Sequence, residues 1–188
     1  MTRFVSLNEF LEEIQSCHKC FMAGDNHPIL DSLDRNIQYM MIYEMPSSIQ
    51  SSNRIIPGPV RQLLDDAFTV SGFLRDNFYI TNIVKCNLDN SSFRRGTCIQ
   101  YCLPYIRNEI EILQPTCIFP LGKNVFTLLC KSSIPYGETI IGRRFHYMGL
   151  PLYPLPHPRD CLICPESLYA FQDSLRNIRN AIMEDSYG

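Results

Sequence analysis

The chain has no apolar run near the ~20 residues that a membrane-spanning helix needs, and no internal repeat, linker or low-complexity tract breaks it up. Its opening residues, Met1-Thr2-Arg3-Phe4, form no apolar signal-peptide core, so a cytoplasmic location is expected. The formal net charge is only −2, which excludes a sequence-independent polycation. Any nucleic-acid contact must then come from a local patch, not from the field of the whole protein. What remains is one globular domain over residues 1–188, expected to be monomeric, with 45% hydrophobic content and enough length for a substantial core.

Cysteine, by contrast, is abundant, with nine in 188 residues. Without a secretory signal, disulfides explain this poorly and metal ligation explains it better. Cys17-His18-Lys19-Cys20 follows an amphipathic segment with Phe10, Leu11 and Ile14 on one face, opened by a Ser6/Glu9 capping box. Two thiolates two residues apart can share one metal centre. Cys161-x-x-Cys164 is a second such pair, and a zinc site from Cys17, Cys20, Cys161 and Cys164 is a possible reading. Cys117 and Cys130 sit among apolar residues and read as small buried hydrophobes.

Four short apolar runs read as buried strands: Ile37–Ile42, Tyr79–Cys86, Cys117–Leu121 and Leu152–Leu155. Helical spacing over Val60–Ser71, Thr97–Leu113, Lys123–Leu129 and from Pro165 to about Glu184 separates or follows them, with Gly72 and Pro115 as stops. Residues 139–148 alternate enough for a hairpin or edge segment. Strands alternating with helices predict an α/β fold: a three-layer α/β/α sandwich around a mainly parallel four-stranded sheet. Each strand ends in a polar loop. In a parallel sheet, Glu44, Asn82, Gly122 and His157 would reach one rim, where ligands gather in such folds.

These pieces, in this order, resemble the uracil-DNA glycosylase superfamily, and most closely its iron–sulfur family 4 type. The strongest segment is Tyr79-Ile-Thr-Asn-Ile-Val-Lys-Cys86, joined by Cys17-x-x-Cys20, Cys102-Leu-Pro-Tyr-Ile106, Leu121-Gly122 and Pro156-His157-Pro158. The resemblance implies a [4Fe–4S] cluster on Cys17, Cys20, Cys86 and Cys102, with zinc as the alternative metal, and DNA as the partner. It implies that Glu44, Asn82 and His157 are catalytic. Glu44 would position water or stabilise the sugar cation, Asn82 would read the base edge, and His157 would donate a hydrogen bond to the pyrimidine O2. Tyr43, Met45, Pro46, Ser47, Ile56 and Asn82 would line the base pocket. Pro57, Gly58, Lys85, Arg143, Arg144, Pro158 and Arg159 would meet DNA, with Arg94 a further phosphate candidate.

The departures concentrate in that pocket. The family's Gly-Glu-Ala-Pro-Gly reads Tyr43-Glu44-Met45-Pro46-Ser47, and its uracil-stacking aromatic aligns with Ile56. Loss of a stacking ring removes ~1–3 kcal/mol per base. The expected activity is therefore a DNA glycosylase that extrudes a pyrimidine and hydrolyses its N-glycosidic bond. Its substrate would be uracil or a bulky modified pyrimidine such as glucosylated hydroxymethylcytosine of phage DNA, the latter implying anti-phage defence. The competing expectation is a catalytically inactive DNA-binding or polymerase-associated module on the same fold.

Overall fold

The structure is a computed structural model that describes residues 7–20, 31, 36–46, 56, 58–86, 95–130, 137 and 139–185. Ser6, Ser47, Pro57 and Arg94 lie outside the described residues. The elements run α1 (Leu7–Gln15), β1 (Tyr39–Tyr43), α2 (Gly58–Ser71), β2 (Phe78–Asn82), α3 (Arg95–Leu113), β3 (Cys117–Pro120), α4 (Lys123–Cys130), β4 (Phe145–Tyr147), β5 (Leu150–Leu152), α5 (Pro158–Cys161) and α6 (Pro165–Asp185).

The sheet order is β2-β1-β3-β5-β4. β1 pairs in parallel with both β2 and β3, and β3 pairs in parallel with β5. All residues of β1, β2 and β3 are buried, as strands covered on both faces require. The five strands include one more than the four expected. The alternating segment folds back as β4, antiparallel to β5, through Met148 (φ +52) and Gly149 (φ +83). Positive φ at both central residues of a two-residue loop is the hairpin geometry that matches strand twist. The last strand, expected over Leu152–Leu155, lies earlier, at Leu150–Leu152, and of the expected span beyond it Leu155 keeps an isolated parallel bridge to Leu121.

Strand alternation divides the core into two layers. On one face Tyr39, Met41, Tyr43, Phe78, Ile80 and Phe119 meet Leu64, Ala67 and Phe68 of α2 and Phe171, Leu175 and Ile178 of α6. On the other, Met40, Ile42, Tyr79 and Ile118 meet Ile106 and Ile110 of α3 and Val125, Phe126 and Leu129 of α4. This is the expected three-layer sandwich. α1 packs Phe10 and Ile14 on Tyr105 of α3, which anchors the loop that carries Cys17 and Cys20. At the open edge, the Ile80 N–H of β2 donates to Asp31, which also pairs with Arg75. That bond blunts an otherwise unpaired strand edge.

Candidate functional site

Parallel strands deliver their carboxyl ends to one rim. Tyr43 and Asn82 are register partners at the ends of β1 and β2, and partners in a parallel pair share a face. Past the strands, Ile83 and Val84 still donate to the carbonyls of Tyr43 and Glu44, at 2.8 and 2.9 Å, so the two loops are tied together. Gly122 follows β3 with φ +85, and a Cβ there would lie 3.1 Å from the Cβ of His157. Only glycine accepts both that backbone and that neighbour. His157 thus packs against the β3 turn, and its ring stands edge-on to Tyr43, with centroids 5.7 Å apart.

The His157 side chain has a defined hydrogen-bonding state. Residue 157 caps α5, and its Nδ1 accepts from the Arg159 backbone N–H at 3.1 Å. An accepting Nδ1 carries no proton, so the neutral ring carries its proton on Nε2. Burial holds the imidazole below the usual histidine pKa, with the Arg159 charge acting the same way and Asp160 and Glu44 opposing. A neutral imidazole with a free donor suits an acceptor that gains negative charge.

Glu44 is 9% exposed, and its Oε2 accepts from Asn124 Nδ2 at 2.7 Å. Asn124 belongs to the first turn of α4 and was not expected at the site. Its only sequence signal is its place two residues after Gly122. Asn82 is 1% exposed, and among the described residues neither its Oδ1 nor its Nδ2 has a hydrogen-bond partner; the buried Tyr43 hydroxyl has none either. Unsatisfied buried amides are rare, each costing ~1–3 kcal/mol, and they invite a functional account.

Two expectations are corrected here. Lys85 cannot meet a phosphate: it is 1% exposed and its Nζ lies 2.6 Å from Glu109 Oε1 and 2.7 Å from Thr81 Oγ1. The same carboxylate accepts from Tyr79 and Thr81, so this buried pair is well hydrogen-bonded. Burial pulls the Lys85 pKa down, while Glu109 resists the shift. Met45, expected in the base pocket, packs instead toward Val84, Cys98 and Cys102. Ile56 is buried beside Tyr43 in the α2/α6 layer, and Pro46 is also buried. Gly58, Arg143, Arg144 and Arg159 are exposed, while Pro158 is buried at the first position of α5. Beyond α5, Leu162 and Ile163 project into solvent, Ile163 at 84% exposure, close in sequence to His157. The sequence reading singled out neither residue.

The four thiols of Cys17, Cys20, Cys86 and Cys102 open on one cavity, walled by Ile14, Lys19, Lys85, Tyr101 and Tyr105. The Tyr105 hydroxyl is buried without an oxygen or nitrogen partner, beside the Cys17 thiol. Burial, and then the neighbouring thiols, push Cys86 up to about 12. Among the described residues no group of three or more His, Cys, Asp or Glu is arranged around a single ion. The zinc site from Cys17, Cys20, Cys161 and Cys164 is overturned. Cys161 is buried in the α2/α6 layer and Cys164 bonds Glu166, while Cys17 and Cys20 lie with α1 and α3 across the sheet. A four-iron cluster fits the donor set better, because each thiolate binds its own iron.

The sequence profile described as Uracil DNA glycosylase superfamily matches residues 32–180. The chain belongs to the uracil DNA glycosylase superfamily. Among curated relatives of this superfamily member, a type-4 uracil-DNA glycosylase of Pyrobaculum aerophilum is 30% identical over 63% of the chain and 61% of the relative. The chain thus spans about three fifths of that protein's length. Those of Sulfurisphaera tokodaii and Saccharolobus solfataricus are 26% and 23% identical, over 93% and 94% of this chain and 84% and 87% of their own lengths. No described helix is long and apolar enough to cross a membrane.

Proposed function

We propose that the chain is a DNA glycosylase that extrudes a pyrimidine nucleotide and hydrolyses its N-glycosidic bond, leaving an abasic site. The observation that carries this is Asn82: a buried amide with both atoms unpartnered, on the rim that also holds Glu44 and His157. An amide offers one donor face and one acceptor, which is what a pyrimidine edge requires. As the C1′–N1 bond breaks, the electron pair flows into the base. The Nε2–H of His157 donates to the base oxygen that gains the charge. Glu44, oriented by Asn124, holds the water and takes its proton as the oxygen bonds to C1′, and its charge favours the sugar cation. Leu162 and Ile163 supply an apolar wedge for the vacated stack. Gly58 at the α2 N-terminus, Arg143, Arg144 and Arg159 contact phosphates.

Cys17, Cys20, Cys86 and Cys102 would hold a [4Fe–4S] cluster, which would cross-link the loop after α1 to the segment after β2 and to α3. The chain's own residues set that cradle: α1 docks on Tyr105, and Val84 is bonded to the Glu44 carbonyl.

The substrate is uracil or a bulky modified pyrimidine such as glucosylated hydroxymethylcytosine. Ile56 in place of a flat ring favours the second, which implies defence against phage DNA. Tyr43 narrows the choice, since its ring lies against His157 with a hydroxyl free to bond the base. The test is abasic-site formation on duplex and single-stranded DNAs carrying each base, with His157→Ala as control. The expected result is cleavable abasic sites with at least one of them, lost in the control. DNA binding without abasic sites on any substrate would overturn the enzyme reading in favour of an inactive binding module.

A further inference from the structure

The cysteine centre holds one thiol more than a four-iron cluster requires. Cys98 lies one helical turn before Cys102 on the same face of α3. It is 0% exposed and packs with Val84, Cys102 and Cys20. Of the four ligand thiols proposed above, those of Cys102 and Cys20 are the ones this packing brings against it. Cys117 and Cys161, the other buried thiols outside the proposed ligand set, sit in the opposite, apolar layer. A buried thiol in contact with a ligand thiol is placed to take over that ligand's iron.

We infer that Cys98 is an alternate ligand, able to replace Cys20 on the cluster. This rests on the reading that the cavity holds a [4Fe–4S] group. The exchange is redox-neutral: Cys98 gives up its proton as its sulfur bonds iron, the bond from that iron to Cys20 breaks, and the Cys20 thiolate takes up a proton. Cys20 belongs to the loop after α1, whereas Cys98 and Cys102 belong to one helix. Exchange would therefore release one of the two bonds that tie the N-terminal loop to the centre, while the cluster keeps four thiolates.

The test is iron and acid-labile sulfide per chain, with the visible absorption of the centre, in anaerobically purified wild type, C98A, C20A, C20A/C98A and C86A. The expected pattern is full iron in wild type and C98A, most of it in C20A, and loss in the double variant and in C86A, whose ligand has no stand-in. Iron present in wild type but lost from C20A as fully as from C86A, or C20A failing to accumulate as soluble protein, would overturn the exchange alone. Iron absent from the wild type would remove the cluster reading, and the exchange with it.

Discussion

Asn82 and Lys85 stand three residues apart at the end of β2, and each is 1% exposed, yet their surroundings are opposite. Lys85 lies on the α3 side, where Glu109 and Thr81 receive its ammonium and Tyr79 joins the same carboxylate. Asn82 lies on the α2/α6 side beside Tyr43, and its amide has no hydrogen-bond partner among the described residues. Similar burial therefore has two meanings. The paired group is structural, and its environment is complete within the folded chain. On the function proposed above, the unpaired group is held ready for a base that supplies the missing donor and acceptor. One strand thus carries a structural tie on one face and a recognition element on the other.

Lys85→Ala should break the contrast most severely. It leaves the Glu109 carboxylate buried without its cation, a loss of ~3–5 kcal/mol, read as a lower urea midpoint. Asn82→Leu should do the reverse. Stability should stay within about 1 kcal/mol of wild type or rise, because no hydrogen bond is lost, while base release falls ~10–100-fold with the ~1–3 kcal/mol of base pairing removed. If both variants lost stability alike, the distinction would collapse.

Gly122→Ala sharpens the comparison at the His157 end of the rim. Left-handed φ at a residue bearing a Cβ costs ~1–2 kcal/mol, and the added carbon presses on His157. Thermal unfolding should shift down, and kcat should fall more than KM rises. Asn124→Ala is milder. Loss of one hydrogen bond to Glu44, worth ~0.5–1.5 kcal/mol, should slow excision ~2–10-fold and leave DNA binding unchanged. The smallest effect at neutral pH concerns His157 titration. Its pKa is depressed, so the neutral, working form persists until the pH drops below the ordinary value of ~6.5. Excision should show an acid limb centred below that value. Stability should also fall as pH falls through this range, because the unfolded chain takes the proton first. His157→Ala should abolish the limb in the residual rate.

Much of this layout was legible in the sequence. Apolar runs marked β1, β2 and β3, Gly72 and Pro115 marked helix ends, and the rim residues followed from parallel topology. What was not legible depended on partners distant in sequence. Lys85 read as a surface cation because Glu109 sits on another layer. A carboxylate flanked by Ile106 and Ile110, on the buried face of α3, was the available sign that a cation had to meet it. Asn124 could not be seen because its bond spans two strand ends. The direction of Met45 could not be read either, since alternation stops where the strand does. Cys98 and Cys102 fall one turn apart in the expected Thr97–Leu113 helix, but that Cys20 packs against them depends on a loop distant in sequence. Among the site positions, Ser47 and Pro57 lie outside the described residues.

The central claim is that Asn82 waits for a base. Its side-chain amide signals can be assigned by their absence in Asn82→Leu and followed by nitrogen–proton NMR while the free base and abasic DNA are added. The account predicts that this one amide pair moves and saturates with the base. Signals that stay fixed while abasic sites are still formed would contradict it.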